Sequence, residues 1–263
     1  MSTHAIVRRI PNSFKTLALG ISDEIDLEKA KTQHEEYCKA LRNVGLKVIE
    51  LPEDENLPDS VFVEDTAVIC NGTALICRPG HPTRQKEVEM IRTVIKKELE
   101  LPILEISDPE ATIDGGDVLF TGREFLVGLS SRTNEAGSRA LAAAFPEYPV
   151  TPIRIKHKLH LKTSLTMAGP DTLCVSEEQE SQDILKKIEQ EASFQYKTIT
   201  VPDGDAANCI YVNGTLIHLS EFPNSTKVFE EKVDFNRIAL NISEFRKADG
   251  SLTCPSIVIK KTK

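Results

Sequence analysis

The chain has 263 residues, 40% of them hydrophobic and 27% charged, which is the balance of an ordinary globular protein with enough length for a substantial core. A formal net charge of −8, no tryptophan and only 5% aromatic residues argue against polyanionic partners and base stacking, so no nucleic-acid role is expected. The opening residues lack the apolar core of a signal peptide and no stretch reads as a membrane span, which makes a cytoplasmic location without membrane contact the expectation.

In chain order, Thr3–Arg8 reads as a strand stopped by Pro11, and residues 11–25 read as irregular. Asp26–Asn43 has helical spacing, with Asp26 placed to cap its start and Gly45 to follow its end, and Leu46–Leu51 alternates as a strand. A pattern then begins. Val61–Cys70 and Thr73–Arg78 flank the turn Asn71-Gly72, a helix is expected over Thr83–Leu99 with Val88, Ile91, Val94 and Ile95 on one face, and Leu101–Ile106 is a strand. The same order returns as the hairpin Val118–Leu129, the helix Asn134–Phe145 and the strand Val150–Ile155. It returns again as a hairpin over Ser164–Val175, a helix over Glu177–Ala192 and a strand at Lys197–Val201. A last copy has a hairpin over Asn208–Leu219 turning at Asn213-Gly214, a helix over Glu221–Val233 and a strand at Ile238–Ile242. Pairs of strands precede each helix, unlike a doubly wound sheet. A fifth unit closes only if the strand after Cys254 pairs with the N-terminal strand. The expectation is a single-domain, five-unit α/β propeller of repeated ββαβ modules over residues 1–263.

Each unit carries polar residues where its hairpin begins: Asp59 with Glu64 and Asp65, Asp114 to Asp117, His160 with Lys162, Asp203 to Asn208, and Asp249 with Cys254. Around a common axis these groups converge into a cation-binding pocket holding a nucleophile and a proton shuttle. Each has a plainer reading when taken alone. Glu64 and Asp65 can be solvated turn charges, Asp114-Gly115-Gly116-Asp117 a tight turn, and His160 between two leucines a core histidine. Arg84 and Arg132, each at the start of a helical segment, can be solvated or can grip a carboxylate. Cys254 follows the turn Asp249-Gly250 and precedes Ile257-Val258-Ile259, and a lone cysteine there is more often structural than reactive. The six cysteines form no C-x-x-C pair, so neither a disulfide framework nor a zinc finger is indicated.

Taken together the motifs resemble one family, the dimethylarginine dimethylaminohydrolases of the guanidino-group-modifying enzymes, in their animal form. They are Leu57 to Asp65, Thr112 to Leu119, Leu159 to Lys162, Met167 to Pro170, Ala206 to Cys209 and Asp249 to Cys254, in family order and across nearly the whole chain. The resemblance implies the five-unit propeller and hydrolysis of asymmetric dimethylarginine or monomethylarginine to citrulline and a methylamine. It places the nucleophile on Cys254, the proton-transferring imidazole on His160 and its orienting carboxylate on Asp114. It assigns substrate contacts to Leu19, Asp59, Glu64, Asp65, Arg84, Arg132, Ala248 and Asp249. It implies no cofactor and no required metal, with Cys254 and His160 able to take an inhibitory zinc, a monomer or homodimer, and a role in relieving inhibition of nitric oxide synthesis. An arginine deiminase or a catalytically silent binding relative are the competing readings. Pro255 follows the cysteine where animal relatives can carry a second one, the Asn213-Gly214 hairpin is shorter, and residues 11–25, expected to form a lid, match weakly.

Overall fold

The computed structural model describes residues 1–260; the expected domain's last three residues lie outside them. Its elements run β1 (His4–Arg8), α1 (Phe14–Leu17), α2 (Leu27–Asn43) and β2 (Lys47–Leu51). Next come β3 (Ala67–Cys70), β4 (Thr73–Ile76), α3 (Val88–Lys97) and β5 (Ile103–Glu105), then β6 (Val118–Phe120), β7 (Phe125–Leu129), α4 (Glu135–Ala144) and β8 (Val150–Arg154). The chain continues with β9 (Leu165–Gly169), β10 (Thr172–Ser176), α5 (Gln179–Glu191) and β11 (Lys197–Val201). It ends with β12 (Ile210–Val212), β13 (Thr215–Leu219), α6 (Pro223–Lys232), β14 (Asn236–Leu240), α7 (Ser243–Arg246) and β15 (Ile257–Ile259).

These strands form five three-stranded sheets, β3-β4-β5, β6-β7-β8, β9-β10-β11, β12-β13-β14 and β15-β1-β2. In each, the first pair is antiparallel and the strand returning from the helix is parallel to the second. The fifth sheet closes as expected, with Ala5 opposite Val258 and Ile6 opposite Ile257. Residues from the first strand of every sheet line one axial cavity of about 840 Å³, so the five units stand around a common axis as a five-unit α/β propeller.

The local reasons are visible residue by residue. Asn71 and Gly72 (φ 48° and 76°), and Asn213 and Gly214 (φ 48° and 80°), adopt the left-handed pairs that a two-residue hairpin turn demands. The Asp26 side chain caps α2 by accepting the Lys29 N–H, and Asn134 caps α4 by accepting that of Gly137. Val88, Ile91, Val94 and Ile95 of α3 are all buried against the β3–β4 sheet. Tyr37 of α2 is 1% exposed, and its hydroxyl donates to the Leu252 carbonyl while meeting Ser256 Oγ, both at 2.7 Å.

Four boundaries differ from the sequence expectation. Residues 61–66 are not strand: Val63–Thr66 is a 3₁₀ turn, because the Glu64 N–H is drawn off the hairpin ladder to the Cys254 carbonyl at 3.1 Å. The helix expected from Thr83 is a 3₁₀ turn over Pro82–Glu87 before α3 starts, with Arg84 pulled inward by buried carboxylates. Residues 11–25 hold the short α1, seated by the fully buried Phe14 against Phe62 and Phe245. The strand expected at Ile238–Ile242 lies two residues earlier, in register with β13, and the short α7 follows it.

Tyr37→Phe removes a buried donor and leaves the Leu252 carbonyl and Ser256 hydroxyl short of a partner. We expect urea denaturation to show a loss of about 1–3 kcal/mol for this single oxygen.

Candidate active site

Every unit begins with a tight turn at the same end of the axis, and these turns carry the polar residues. Four are 3₁₀ turns: Val63–Thr66, Gly115–Asp117, Leu161–Thr163 and Gly204–Ala207. The fifth is the non-helical segment from Asp249 to Ser256, in which Asp249 itself has φ +57°, a strained backbone for a non-glycine residue. A cavity of about 40 Å³ lies among them, lined by Glu64, His160, Lys162, Asn208, Asp249 and Cys254 with their neighbours. Cys254 is the one cysteine not buried; Cys38, Cys70, Cys77, Cys174 and Cys209 are all core residues. Its Sγ accepts the Ser251 N–H at 3.3 Å.

His160 is 7% exposed and is held between carboxylates. Its Nε2–H donates to Asp114 Oδ2 at 2.9 Å, with Asp65 Oδ1 at 3.9 Å. Asp114, wholly buried, is fixed in turn by the Gly80 N–H on its Oδ1 at 2.8 Å and by its own N–H on Thr133 Oγ1 at 3.0 Å. Gly115 and Gly116 are required by crowding: a Cβ on Gly115 would stand 1.9 Å from the Glu64 carbonyl oxygen, and one on Gly116 would stand 2.6 Å from His160 Nδ1. Asp117 completes the turn, accepting the Leu161 N–H at 2.9 Å and the Ser130 hydroxyl at 2.6 Å.

The electrostatics follow from this packing. Burial by itself would lower His160, but Asp65, Asp114 and Asp117 outweigh it and bring it up to about 9. Burial opposes the charge on Asp65 as well, yet His160 and Arg84 hold it at about 2. Burial pushes the Cys254 thiol up, and the negative charges of Glu64, Asp65 and Asp249 push it further. At neutral pH the ligand-free site therefore holds a protonated thiol beside a protonated imidazole.

The sequence-predicted residues fall in three places. Glu64, His160, Asp249 and Cys254 line the cavity, while Asp65 and Asp114 stand directly behind His160. Arg84 is deeper than expected, at 5% exposure: it is forked onto Glu87 and onto Asp65 at 2.6 Å, and also donates to the Phe62 carbonyl at 2.9 Å. Asp59 accepts the Leu19 N–H at 2.9 Å. Residues 18–25 lie against the fifth unit, with the Ser22 N–H on the Lys247 carbonyl at 2.8 Å, and Ala248 is buried beside that contact. Arg132 lies within the electrostatic reach of both Asp59 and Asp249 and keeps a buried Nη1 without a hydrogen-bond partner. Among the described residues the group with metal-ligand spacing is Asp65, Asp114 and His160, whose ligand atoms lie within 4.8 Å of one another. Cys254 is not one of these three.

Sequence reasoning gave no role to Lys162, Asn208 or Thr253. Lys162 Nζ donates to Glu64 Oε1 at 2.7 Å and to the Gly115 carbonyl at 3.1 Å. Thr253 Oγ1 donates to Glu64 Oε2 at 2.9 Å, and Asn208 ties the Lys162 carbonyl to Thr253. Lys162 and Asn208 occupy the same unit-start positions as the predicted residues, and that equivalence was the available signal. Asp205 carried it too, whereas its ion-pair partner Arg246 at the cavity rim did not.

A sequence profile of the eukaryotic N,N-dimethylarginine dimethylhydrolase family matches residues 9–254. The chain belongs to this family. Human DDAH2 is 34% identical over 270 residues, covering 98% of this chain and 94% of that one. The dimethylarginine dimethylaminohydrolase of Pseudomonas aeruginosa is 32% identical over 237 residues, covering 88% of this chain and 89% of that one. A solved structure of the Pseudomonas enzyme, a mutant complexed with citrulline, superposes with a TM-score of 0.86 at 30% identity over 98% of this chain and all of that one. The N-terminal domain of the cyanobacterial arginine dihydrolase ArgZ, at 18% identity and a TM-score of 0.84, shares the fold. The dimethylarginine hydrolase likeness is thus carried by sequence and fold together.

The His160 ring should titrate near pH 9 by NMR in the ligand-free protein. Gly116→Ala forces the ring from its carboxylates and should bring the midpoint down towards 6.5. Because the folded-state value is raised, the stability His160 contributes is complete below pH 6.5 and is lost as pH rises through 9. Denaturation midpoints measured across that window should fall for the parent and flatten in Gly116→Ala.

Proposed function

We propose that this chain hydrolyses N-omega-methylated arginines to citrulline and dimethylamine or methylamine, within one catalytic unit and through a covalent intermediate on Cys254. One observation carries the reading: the one cysteine among the described residues that is not buried faces a small charge-lined cavity beside a histidine held by two buried carboxylates. A solved structure of a dimethylarginine dimethylaminohydrolase mutant as an adduct with S-methyl-L-thiocitrulline supports the same chemistry for the family.

The substrate is a cation, and the cavity sets the carboxylates Glu64, Asp205 and Asp249 among Lys162, Arg246 and His160. Glu64 and Asp249 line it, with Asp65 behind, so the guanidinium is drawn in and its carbon oriented towards Sγ. The bound cation also offsets the carboxylates that hold the thiol up, which favours release of its proton to solvent water, from which the departing amine is later protonated to its ammonium form. Cys254 Sγ attacks the guanidinium carbon to give a tetrahedral adduct. The C–N bond to the methylated nitrogen breaks as protonated His160 delivers its proton to the departing amine, leaving an S-alkylthiouronium on Cys254. His160, now neutral, takes a proton from water; the hydroxide adds to the thiouronium carbon, the C–S bond breaks, and citrulline leaves with the thiol restored. Asp114 keeps the imidazole oriented through both steps. Arg132 offers its unpartnered N–H groups to the substrate carboxylate, while Asp59, the Leu19 and Ala248 backbone and the remaining Nη1 hydrogen of Arg84 frame the amino acid end.

The deciding measurement is citrulline release from asymmetric dimethylarginine. The unmutated chain should produce it, Cys254→Ser should produce none, and His160→Gln should lose roughly 10²–10⁴ in rate. Equal citrulline from Cys254→Ser would remove the thiol from its role, and turnover of arginine in place of dimethylarginine would move the assignment to a deiminase.

A further inference from the structure

The site contains a fixed cation that a guanidinium-binding pocket does not need for affinity. Lys162 Nζ stands 2.7 Å from Glu64 Oε1, with the two side chains only 16% and 10% exposed. Its second contact, the Gly115 carbonyl, and its backbone link to Asn208 leave it little freedom to swing away. Glu64, Lys162 and Thr253 line the cavity beside Cys254, and the same three residues line the axial cavity of about 840 Å³ behind it. The ammonium is therefore part of the floor on which the substrate cation is proposed to rest. The other charges facing this floor are Glu64, Asp249, Asp205 with Arg246, and His160 with Asp65 and Asp114 behind it.

We propose that Lys162 is a positioning residue that weakens binding of the ground-state cation in order to favour the chemical step. The inference rests on the hydrolase reading above and adds to it a cause for turnover. Glu64 serves two purposes that conflict. Its negative charge attracts the substrate, and the same charge opposes ionisation of Cys254. Lys162 offsets that charge without removing the carboxylate, so Glu64 still directs the guanidinium while pressing less on the thiol. The repulsion between Lys162 and the bound cation ends when the product becomes neutral citrulline. Affinity lost in the ground state and recovered along the reaction is rate gained.

The test separates charge from scaffolding. Lys162→Gln keeps two amide hydrogens for Glu64 and the Gly115 carbonyl and deletes the charge; Lys162→Arg keeps the charge. In a Cys254→Ser background, where nothing turns over, calorimetry with dimethylarginine, arginine and citrulline compares cationic with neutral ligands. We expect Lys162→Gln to bind the cations about tenfold more tightly, equivalent to about 1.4 kcal/mol, with citrulline unchanged. With Cys254 restored, kcat and KM for dimethylarginine should fall together in Lys162→Gln and stay near the parent in Lys162→Arg. Parallel weakening of cationic and neutral ligands, or a rise in KM, would show a scaffold only and overturn the proposal. Tighter cation binding by Lys162→Arg, in which the charge is kept, would overturn it as well and does not depend on the glutamine variant folding. Citrulline release by the unmutated chain reports the hydrolase reading separately: if it fails, that reading falls while the arginine and citrulline affinities still decide the role of Lys162.

Discussion

Closing five separate sheets around an axis leaves the polar ends of five turns facing one another, and the ring of hydrogen bonds through Glu64 and Lys162 is what satisfies them. Lys162 joins the third unit to the first and second through Glu64 and the Gly115 carbonyl. Asn208 of the fourth unit joins Lys162 to Thr253 of the fifth, and Thr253 returns to Glu64. The Glu64 N–H then holds the Cys254 carbonyl. A buried polar group left out of such a ring costs on the order of 1–3 kcal/mol, so the ring is worth more complete than as separate pairs. The position of the thiol is therefore a consequence of closure, and closure depends on β15 finding β1 across the length of the chain.

A second layer fixes the acids. Glu87, Arg84 and Asp65 form a buried chain in which each charge has a partner, ending at Asp65, whose Oδ1 stands 3.9 Å from His160 Nε2. Burial raises Glu87 to about 7 even with Arg84 beside it, a measure of how expensive the arrangement is to bury. An apolar replacement would fill the same space with less strain on solvation, but it would leave Asp65 without the cation that keeps it ionised. The layer makes sense as support for the histidine, which needs anionic neighbours that do not protonate. The strained Asp249 backbone belongs with it, since it turns the chain into the segment that presents Cys254.

Much of the fold was legible because its signals are local. Asn71-Gly72 and Asn213-Gly214 dictate hairpins by backbone preference alone, and the apolar stripe of α3 dictates which face packs. Two of the misread boundaries, the unit start at residues 61–66 and the helix entry at 82–87, are turns shaped by partners outside their own segment. Glu64 bonds to Cys254, and Arg84 to Asp65, across separations that no window of residues spans. The same cause explains the site. The convergence of Cys254, His160 and Asp114 was readable from motif and position, whereas Arg84 could be read equally as solvated or as gripping a carboxylate, and Lys162 was placed at the axis without a partner. Burial of a charge can be inferred only after its counter-charge is placed, and topology does the placing.

Taken together, the charges describe a site that is not reactive when empty. Asp65, Asp114 and Asp117 keep His160 protonated, while burial together with Glu64, Asp65 and Asp249 holds Cys254 as a thiol, so Asp65 favours the charged imidazole and opposes the thiolate at once. A positively charged ligand resolves the conflict, since it screens Glu64 and Asp249 from the sulfur without disturbing Asp114 and Asp65 behind the imidazole. Lys162 is the protein's own fixed instalment of that positive charge, sized to moderate Glu64 and too confined by Gly115 to replace the ligand. On the proposed assignment reactivity follows recognition: the guanidinium drawn to Glu64 and Asp249 supplies the field in which the thiol can ionise.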